Sequence, residues 1–464
     1  MSSSRPAPLR TAVSLLALAS ACHLPAQAGD DVKVLLEILL EKGVITQEEF
    51  DKKLKKVREE QEVREFNQAQ DIRKATKAVE QRAETERKFR TEIYGQVSAG
   101  WYEASHMSSA NKTASGMSDQ PKGNNRLGLK VARELADDVT AMVTLESNFS
   151  SRTGDVGRDS AAYGQANNSA PGVSFLDREA NVRFISKTYG TFVLGRGPTL
   201  QNELSGAFDA RQNWNFGGLK PIGRYAGFHS ASGINRADRL FRYISPTFSG
   251  FNIDAGVSFG GVPSDGQAGN NLYFGGRYKN GNFEAGYNHA EVRLGSAGVT
   301  STAAVNNRVD FLAAKYTFDK LTINGGYVMT RNPASATGGS FDATRAGGKV
   351  DADTWFIGTV YRFTPALSWN AGYYEVRDLT QASDNKNGLN MLATGLTWSP
   401  FKDWDFFIDY ATSSRKSNAT GAFTIYDKWA PDTGTACTST ANNLGCSDSI
   451  YSQSGLSMGA QYKF

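Results

Sequence analysis

The chain has 464 residues, room for one large domain with an appendage or for several smaller ones. Only 40% of residues are hydrophobic and the mean hydropathy is −0.43, which excludes a bundle of membrane-spanning helices. A formal charge of +4 is too near neutral to point to nucleic acid. The 47 glycines and 11% aromatic residues, on a polar average, suit strands that alternate apolar and polar side chains around a closed barrel.

The N-terminus reads as an export signal. Arg5 and Arg10 precede an apolar run from Ala12 to Ala21, and Ala26-Gln27-Ala28 forms a small-x-small cleavage site, so residues 1–28 are expected to be removed. A competing reading takes Ala19-Ser20-Ala21-Cys22 as a lipoprotein site, although Leu is preferred where Ala19 stands. Cleavage after Ala28 leaves Cys437 and Cys446, close together in a polar stretch. In an oxidising compartment this favours a disulfide over a metal site.

Residues 29–91 differ in composition from the rest of the chain and read as a periplasmic helical extension. Leu35, Leu36, Leu39 and Leu40 recur at helical spacing, Gly43 is a natural stop, and Thr46 with Glu49 forms a capping box. A charged helix then runs to about Arg90. Phe50, Leu54, Val57, Ile72, Ala75 and Val79 have partial heptad spacing, broken by Gln61 and Arg64. Two readings stand open: a solvated single helix, or a short trimeric coiled coil.

From Glu92 the period changes to two. Sixteen strand-like stretches begin near Ile93, Asn125, Val139, Asp177, Thr191, Arg239, Phe251, Leu272, Phe283, Arg308, Leu321, Thr354, Leu367, Leu389, Asp405 and Gln453. Short connections such as Ala136-Asp137-Asp138 and Thr364-Pro365-Ala366 alternate with long ones such as 103–124, 150–176, 197–238 and 413–452. Tight turns on one rim and long loops on the other mark an antiparallel transmembrane barrel over 92–464. An even strand count returns both barrel ends to the short-turn rim, where the helical extension would lie. In the last strand Leu456, Met458, Ala460, Tyr462 and Phe464 share one face, and Gly455, Ser457, Gly459, Gln461 and Lys463 the other. Charges on the polar face of such strands fit a water-filled lumen better than a packed core. Tyr94, Trp101, Trp355, Phe363, Tyr462 and Phe464 are candidates for the aromatic girdles.

The segments Ile93-Tyr94-Gly95, Asn125-Arg126-Leu127-Gly128, 189–196 (YGTFVLGR), 242–251 (RYISPTFSGF) and the terminal Tyr462-Lys463-Phe464 together resemble the general porins of Gram-negative bacteria, in particular the β-proteobacterial type. The resemblance covers Glu92 to Phe464. It implies a homotrimer in the outer membrane, in contact with its lipids and lipopolysaccharide, with small hydrophilic solutes diffusing through each barrel. It also implies that the third outer loop, here 198–238, folds into the pore as a constriction. Phe216-Gly217-Gly218 is similar to the family's loop tip, but Asn215 stands where some members have Glu, so the acidic role falls to Glu203 or Asp209. Phe464 resembles the C-terminal signal read by the barrel-assembly machinery. The segment from Leu35 to Glu60 looks instead like the helical extension of phosphate-selective porins.

A constriction works by opposing charges that orient solutes and tune ion preference. Wall candidates are Arg126, Lys130, Arg183, Arg196 and Arg242; loop candidates are Glu203, Asp209, Arg211, Lys220 and Arg224. Arg196, directly before the loop, is the first choice, and the basic excess in the set favours a weak anion preference. A substrate-specific channel for phosphate-type anions is the alternative, and would need a ladder of arginines. An enzyme reading would rest on His229 beside Ser230, with His106 and His289 elsewhere, and sequence neighbours rarely face each other. A tether to peptidoglycan through the helical extension is compatible with any of these. No motif calls for a metal, a nucleotide or another cofactor.

Overall fold

The structure is a computed structural model that describes residues 27–106, 113–152, 154, 156, 158–159, 173–212, 214–229, 234–259, 270–294, 305–332, 350–379, 387–416, 423, 425–426 and 452–464. The proposed signal up to residue 26 and the pair Cys437 and Cys446 lie outside the described residues. The chain divides into two compact units, 1–88 and 89–464. The helix that ends at Lys88 is followed directly by a strand that starts at Phe89.

The first unit is a pair of helices, α1 (Gln27–Glu41) and α2 (Gln47–Lys88). The capping box closes as its residue types require: the Thr46 N–H donates to Glu49 Oε2 at 3.0 Å, and the Glu49 N–H to Thr46 Oγ1 at 3.3 Å. Leu36 is buried, whereas Val63, Phe66 and Ile72 stay exposed in the single chain.

The second unit is a closed, sixteen-stranded antiparallel barrel. Its strands are β1 (Phe89–Ala104), β2 (Arg126–Ala136), β3 (Val139–Asn148), β4 (Glu179–Ser186), β5 (Gly190–Pro198), β6 (Arg236–Ile244), β7 (Phe251–Ser258) and β8 (Asn271–Asn280). The circle continues through β9 (Phe283–Leu294), β10 (Val305–Phe318), β11 (Leu321–Asn332), β12 (Val350–Arg362), β13 (Leu367–Asp378), β14 (Gly388–Trp398), β15 (Trp404–Arg415) and β16 (Ser454–Lys463). Each strand pairs with the next, and β16 closes on β1 with Gln96 opposite Lys463 and Ala104 opposite Gly455. A further short strand, Ala114–Asp119, belongs to the first outer loop and pairs with the outer half of β1.

The alternation read from the sequence sets the faces. Leu127, Val143, Met458 and Tyr462 point outward and are exposed, while Gln96, Glu146, Ser457 and Gln461 are buried on the lumen side. Trp101, Trp355, Phe363, Tyr462 and Phe464 stand on the outer face as expected of girdle residues. Tyr94 does not: it differs in parity from Trp101 on the same strand, so it faces the lumen, where its hydroxyl donates to Glu146 at 2.9 Å.

Candidate functional site

The third outer loop leaves β5 at Pro198, turns inside the barrel and returns at Arg236. It carries two helices, α3 (Leu200–Phe208) and α4 (Leu219–Tyr225). Thr199 caps α3 by accepting from the Asn202 N–H. Leu200, Leu204 and Phe208 recur at helical spacing on α3 and join one apolar cluster with Phe216, Leu219, Ile222, Phe228 and the inward residues Val309, Phe311, Val328, Phe356 and Leu389 of the wall. The wall makes room for this contact with glycines. A Cβ at Gly286 would come within 2.5 Å of Leu204 Cδ2, and one at Gly358 within 2.5 Å of Ala210 Cβ. The loop is therefore seated by apolar packing against β9–β14.

Charged contacts fix its two ends. Arg242 on β6 donates to both oxygens of Glu203 on α3 (2.7 and 3.0 Å), to both oxygens of Asp254 on β7 (2.8 and 2.5 Å) and to the Pro198 carbonyl (2.9 Å). Arg277 on β8 also pairs with Glu203. Burial alone would raise the Glu203 carboxyl, but the Arg242 and Arg277 guanidiniums beside it more than offset this and hold it below the usual range. After α3, Asp209 accepts from the Tyr374 hydroxyl at 2.5 Å and from the Leu219 N–H at 2.8 Å. Arg211 is fully buried and paired with Asp409 at 2.9 Å.

The tip is held between two other outer loops. The N–H groups of Asn215 and Phe216 donate to the Pro121 carbonyl of the first loop, at 3.1 and 3.3 Å, while the Gly217 N–H donates to the Ile425 carbonyl of the last, at 2.9 Å. Asn215 is suited to this place in a way Glu is not. Its amide nitrogen donates to the Gln120 carbonyl at 2.6 Å and its amide oxygen accepts from Lys220 Nζ at 2.9 Å. An ionised carboxylate has no donor for the first of these.

The residues singled out from sequence separate by position. Arg126, Lys130 and Arg183 lie on the lumen wall and keep 35%, 33% and 25% of their side-chain surface exposed. Arg126 pairs with Glu146 at 3.6 Å, Lys130 with Glu92 at 3.3 Å, and Arg183 with Glu179 at 2.5 Å. Arg242, Glu203, Asp209, Arg211 and Lys220 sit in the contacts that seat the loop. Arg196 belongs to the loop's stem: it donates to the Asp177 carbonyl at 2.7 Å and pairs with Asp238. Arg224 closes the last turn of α4, partly exposed. At the C-terminus Phe464 exchanges both backbone hydrogen bonds with Gly95 (2.9 and 3.1 Å) and stacks on Tyr462.

Sequence reasoning missed Arg178, Arg277, Glu146, Asp254 and Lys122. Arg277 was legible, since Leu272 and Phe274 face out and Tyr273, Gly275 and Arg277 share the other parity. Arg178 precedes β4 and pairs with Glu146, which thus stands between two guanidiniums. Lys122 lies in a loop, where no period marks direction. Of the histidines, His289 pairs with Asp310 at 2.8 Å on the outer face of β9 and β10, and His229 is buried in the turn after α4. Ser230 lies outside the described residues.

A sixteen-stranded membrane barrel that draws its third outer loop into its own lumen defines a pore-forming class of outer-membrane protein. This chain belongs to the Gram-negative porin family, whose model matches residues 75–418. It is 25% identical over 239 residues to an outer membrane porin protein of Bordetella pertussis, covering 47% of this chain. The chain spans 55% of the length of that curated relative. Among solved structures, the anion-selective porin from Comamonas acidovorans matches with a TM-score of 0.61 at 17% identity, over 81% of this chain and all of that one. The outer-membrane expressed OmpT of Vibrio cholerae matches with a TM-score of 0.51 at 16% identity, over 81% and 98%. Both likenesses are of fold. Family and barrel together give an outer-membrane location.

Proposed function

We propose that the protein forms a water-filled channel for passive diffusion of small hydrophilic solutes and ions, weakly favouring anions and working as a homotrimer. The observation that carries this is the charge balance around the folded-in loop. Arg126, Arg183 and Arg277 keep 35%, 25% and 37% of their side-chain surface exposed, against 5%, 15% and 31% for Glu146, Glu179 and Glu203, the carboxylates they meet. The wall guanidiniums that keep water contact therefore outweigh the carboxylates facing them, and fixed charge of one sign selects the opposite ion. Likeness to an anion-selective porin supports the same sign. Reversal potentials across planar bilayers under a KCl gradient test it: chloride is expected to be the more permeant ion, and clear cation selectivity would overturn the proposal.

A second reading, a channel specific for phosphate-type anions, draws support from Arg126, Arg183, Arg242 and Arg277 on alternate strands β2, β4, β6 and β8. Saturation of conductance at low phosphate would favour it; ohmic behaviour favours the general pore. Trimerisation is supported by the outer faces of β2 to β4, where Leu127, Leu129, Val131, Val143, Val182 and Phe184 form an apolar stretch. The remaining partners are inferred from the same surfaces: lipid and lipopolysaccharide at the girdles, the assembly machinery at Phe464, and peptidoglycan at the periplasmic extension 29–91, whose exposed Val63, Phe66 and Ile72 suit a coiled coil. Deleting 32–90 and finding unchanged trimer stability and cell-wall association would remove the role of the extension.

A further inference from the structure

Lys122 differs from the wall arginines around the folded-in loop. It lies in the first outer loop, in the turn that dips inside the barrel before β2 begins. Its N–H donates to Ser98 Oγ at 3.4 Å on β1, and its carbonyl accepts from Gln461 Nε2 at 3.4 Å on β16. The preceding residue, Pro121, bears the carbonyl on which the tip of the third loop rests. Lys122 is thus fixed where the first loop, the third loop and the wall meet.

Its side chain is buried, with 5% of the residue exposed. The ammonium donates to Thr397 Oγ1 on β14 at 2.5 Å and sits 4.0 Å from the centroid of the Trp214 ring and 5.1 Å from that of Phe407. Among the described residues no carboxylate makes an ion pair with it. The wall arginines behave otherwise: Arg126, Arg178, Arg183, Arg242 and Arg277 each meet a carboxylate. An ammonium has three donors and is strongly disfavoured when buried without a counter-charge. A hydroxyl and the faces of two rings supply only part of what it loses.

We infer that Lys122 is a specificity-determining residue of the pore: an uncompensated cation built in beside the tip of the folded-in loop, whose field adds to the attraction an anion meets in the lumen. The inference rests on the channel reading and identifies one residue behind its ion preference. The charged groups facing Lys122 are Asp405 and Asp409 from β15, Lys463 from β16 and Arg211 from the third loop; β14 offers only the neutral Thr397. Burial pushes the ammonium down to about 7, a fall that Asp409 and Asp405 only partly offset and that Arg211 and Lys463 deepen. The charge is therefore fully present in mild acid and lost as pH rises through neutrality, and anion preference must decline over the same interval.

The test uses the full-length protein in planar bilayers under a KCl gradient, with reversal potentials read about one pH unit either side of 7. In the wild type the chloride-to-potassium permeability ratio is expected to fall by about twofold from the acid to the alkaline side, the loss of one fixed pore charge. Lys122→Gln should show the low ratio at both values. Lys122→Arg, which keeps its charge throughout, should show the high ratio at both. A wild-type ratio that does not change across the interval overturns the inference, as does a Lys122→Gln channel that retains the wild-type decline. If Lys122→Gln does not fold, a Lys122→Arg channel with the wild-type decline overturns it equally. Absence of any current from the wild type would overturn the channel reading itself, and is distinct from a conducting pore whose selectivity ignores pH.

Discussion

Arg242 is the side chain on which the seating of the third loop most depends, and Arg242→Ala is the most informative perturbation. The guanidinium is 4% exposed and satisfies Asp254, itself 5% exposed, together with Glu203 and the Pro198 carbonyl. Removing it leaves Asp254 buried with its counter-charge gone. Loss of one member of a buried pair costs about 3–5 kcal/mol. Water entering the vacated space places this case toward the lower figure, because the lumen is close by. Glu203 is 31% exposed and keeps Arg277, so its own share of the loss is about 1 kcal/mol, in the range of an exposed pair. The larger loss falls on the wall, at the pairing of β6 with β7, while a share of about 1 kcal/mol at Glu203 shifts the docking equilibrium of α3 by about fivefold. Two measurements report it: denaturant unfolding of the detergent-solubilised protein, and single-channel conductance, which should rise and become noisy as α3 leaves the wall. Glu203→Gln should give a smaller effect in the same direction, and the double substitution less than the sum. An Arg242→Ala protein that unfolds with the wild type and conducts at wild-type amplitude would refute the assignment of this contact as the loop's anchor.

Other substitutions probe separate contacts. Gly217→Ala places a Cβ 2.8 Å from Ala393 Cβ and 3.0 Å from Ala411 Cβ at a residue with φ of +63°, so the tip should move off the wall at a cost of about 1–3 kcal/mol, read as altered conductance. Asp138, in the turn before β3, accepts from the Ser186 hydroxyl and from the N–H groups of Lys187 and Thr188, and these bonds hold its carboxyl well below the usual range. Its stabilising effect is therefore complete above the unfolded value of about 3.9 and is lost as pH falls through the lower folded value; the unfolding difference between wild type and Asp138→Asn should be full at neutral pH and vanish in strong acid. Phe464→Ala removes the ring stacked on Tyr462 at 5.9 Å, and should lower the yield of membrane-inserted protein more than the stability of what does insert, measured by fractionation and by heat-modified gel mobility.

The barrel was legible because lipid and water impose a period of two on every spanning strand. Val139, Phe251, Phe283, Leu321 and Leu367 begin strands at the residues read from sequence. The same rule, applied one residue at a time, corrects Tyr94 and finds Arg277. The third loop was read from the length of the gap between strands, Gly197 to Asp238, and its two helices were not. What sequence did not disclose is which charges meet. Glu203 and Asp209 read as candidate acids of the constriction; Glu203 lies against Arg242 and Asp209 against Tyr374, partners 39 and 165 residues away. Lys122 was hidden for the same reason: the first outer loop turns inward through backbone contacts with Asn215 and Phe216 that no local pattern announces.

The clasp on the loop tip has a consequence for how the protein matures. Its two halves, Pro121 and Ile425, come from opposite ends of the chain and hold Phe216-Gly217 from either side. Contacts so distant in sequence form late, so a barrel still threading its last strands has the staves of a tube but an unlatched throat. The tip gains its second hold only when the final hairpin arrives. Closing of the wall and latching of the tip are then one event.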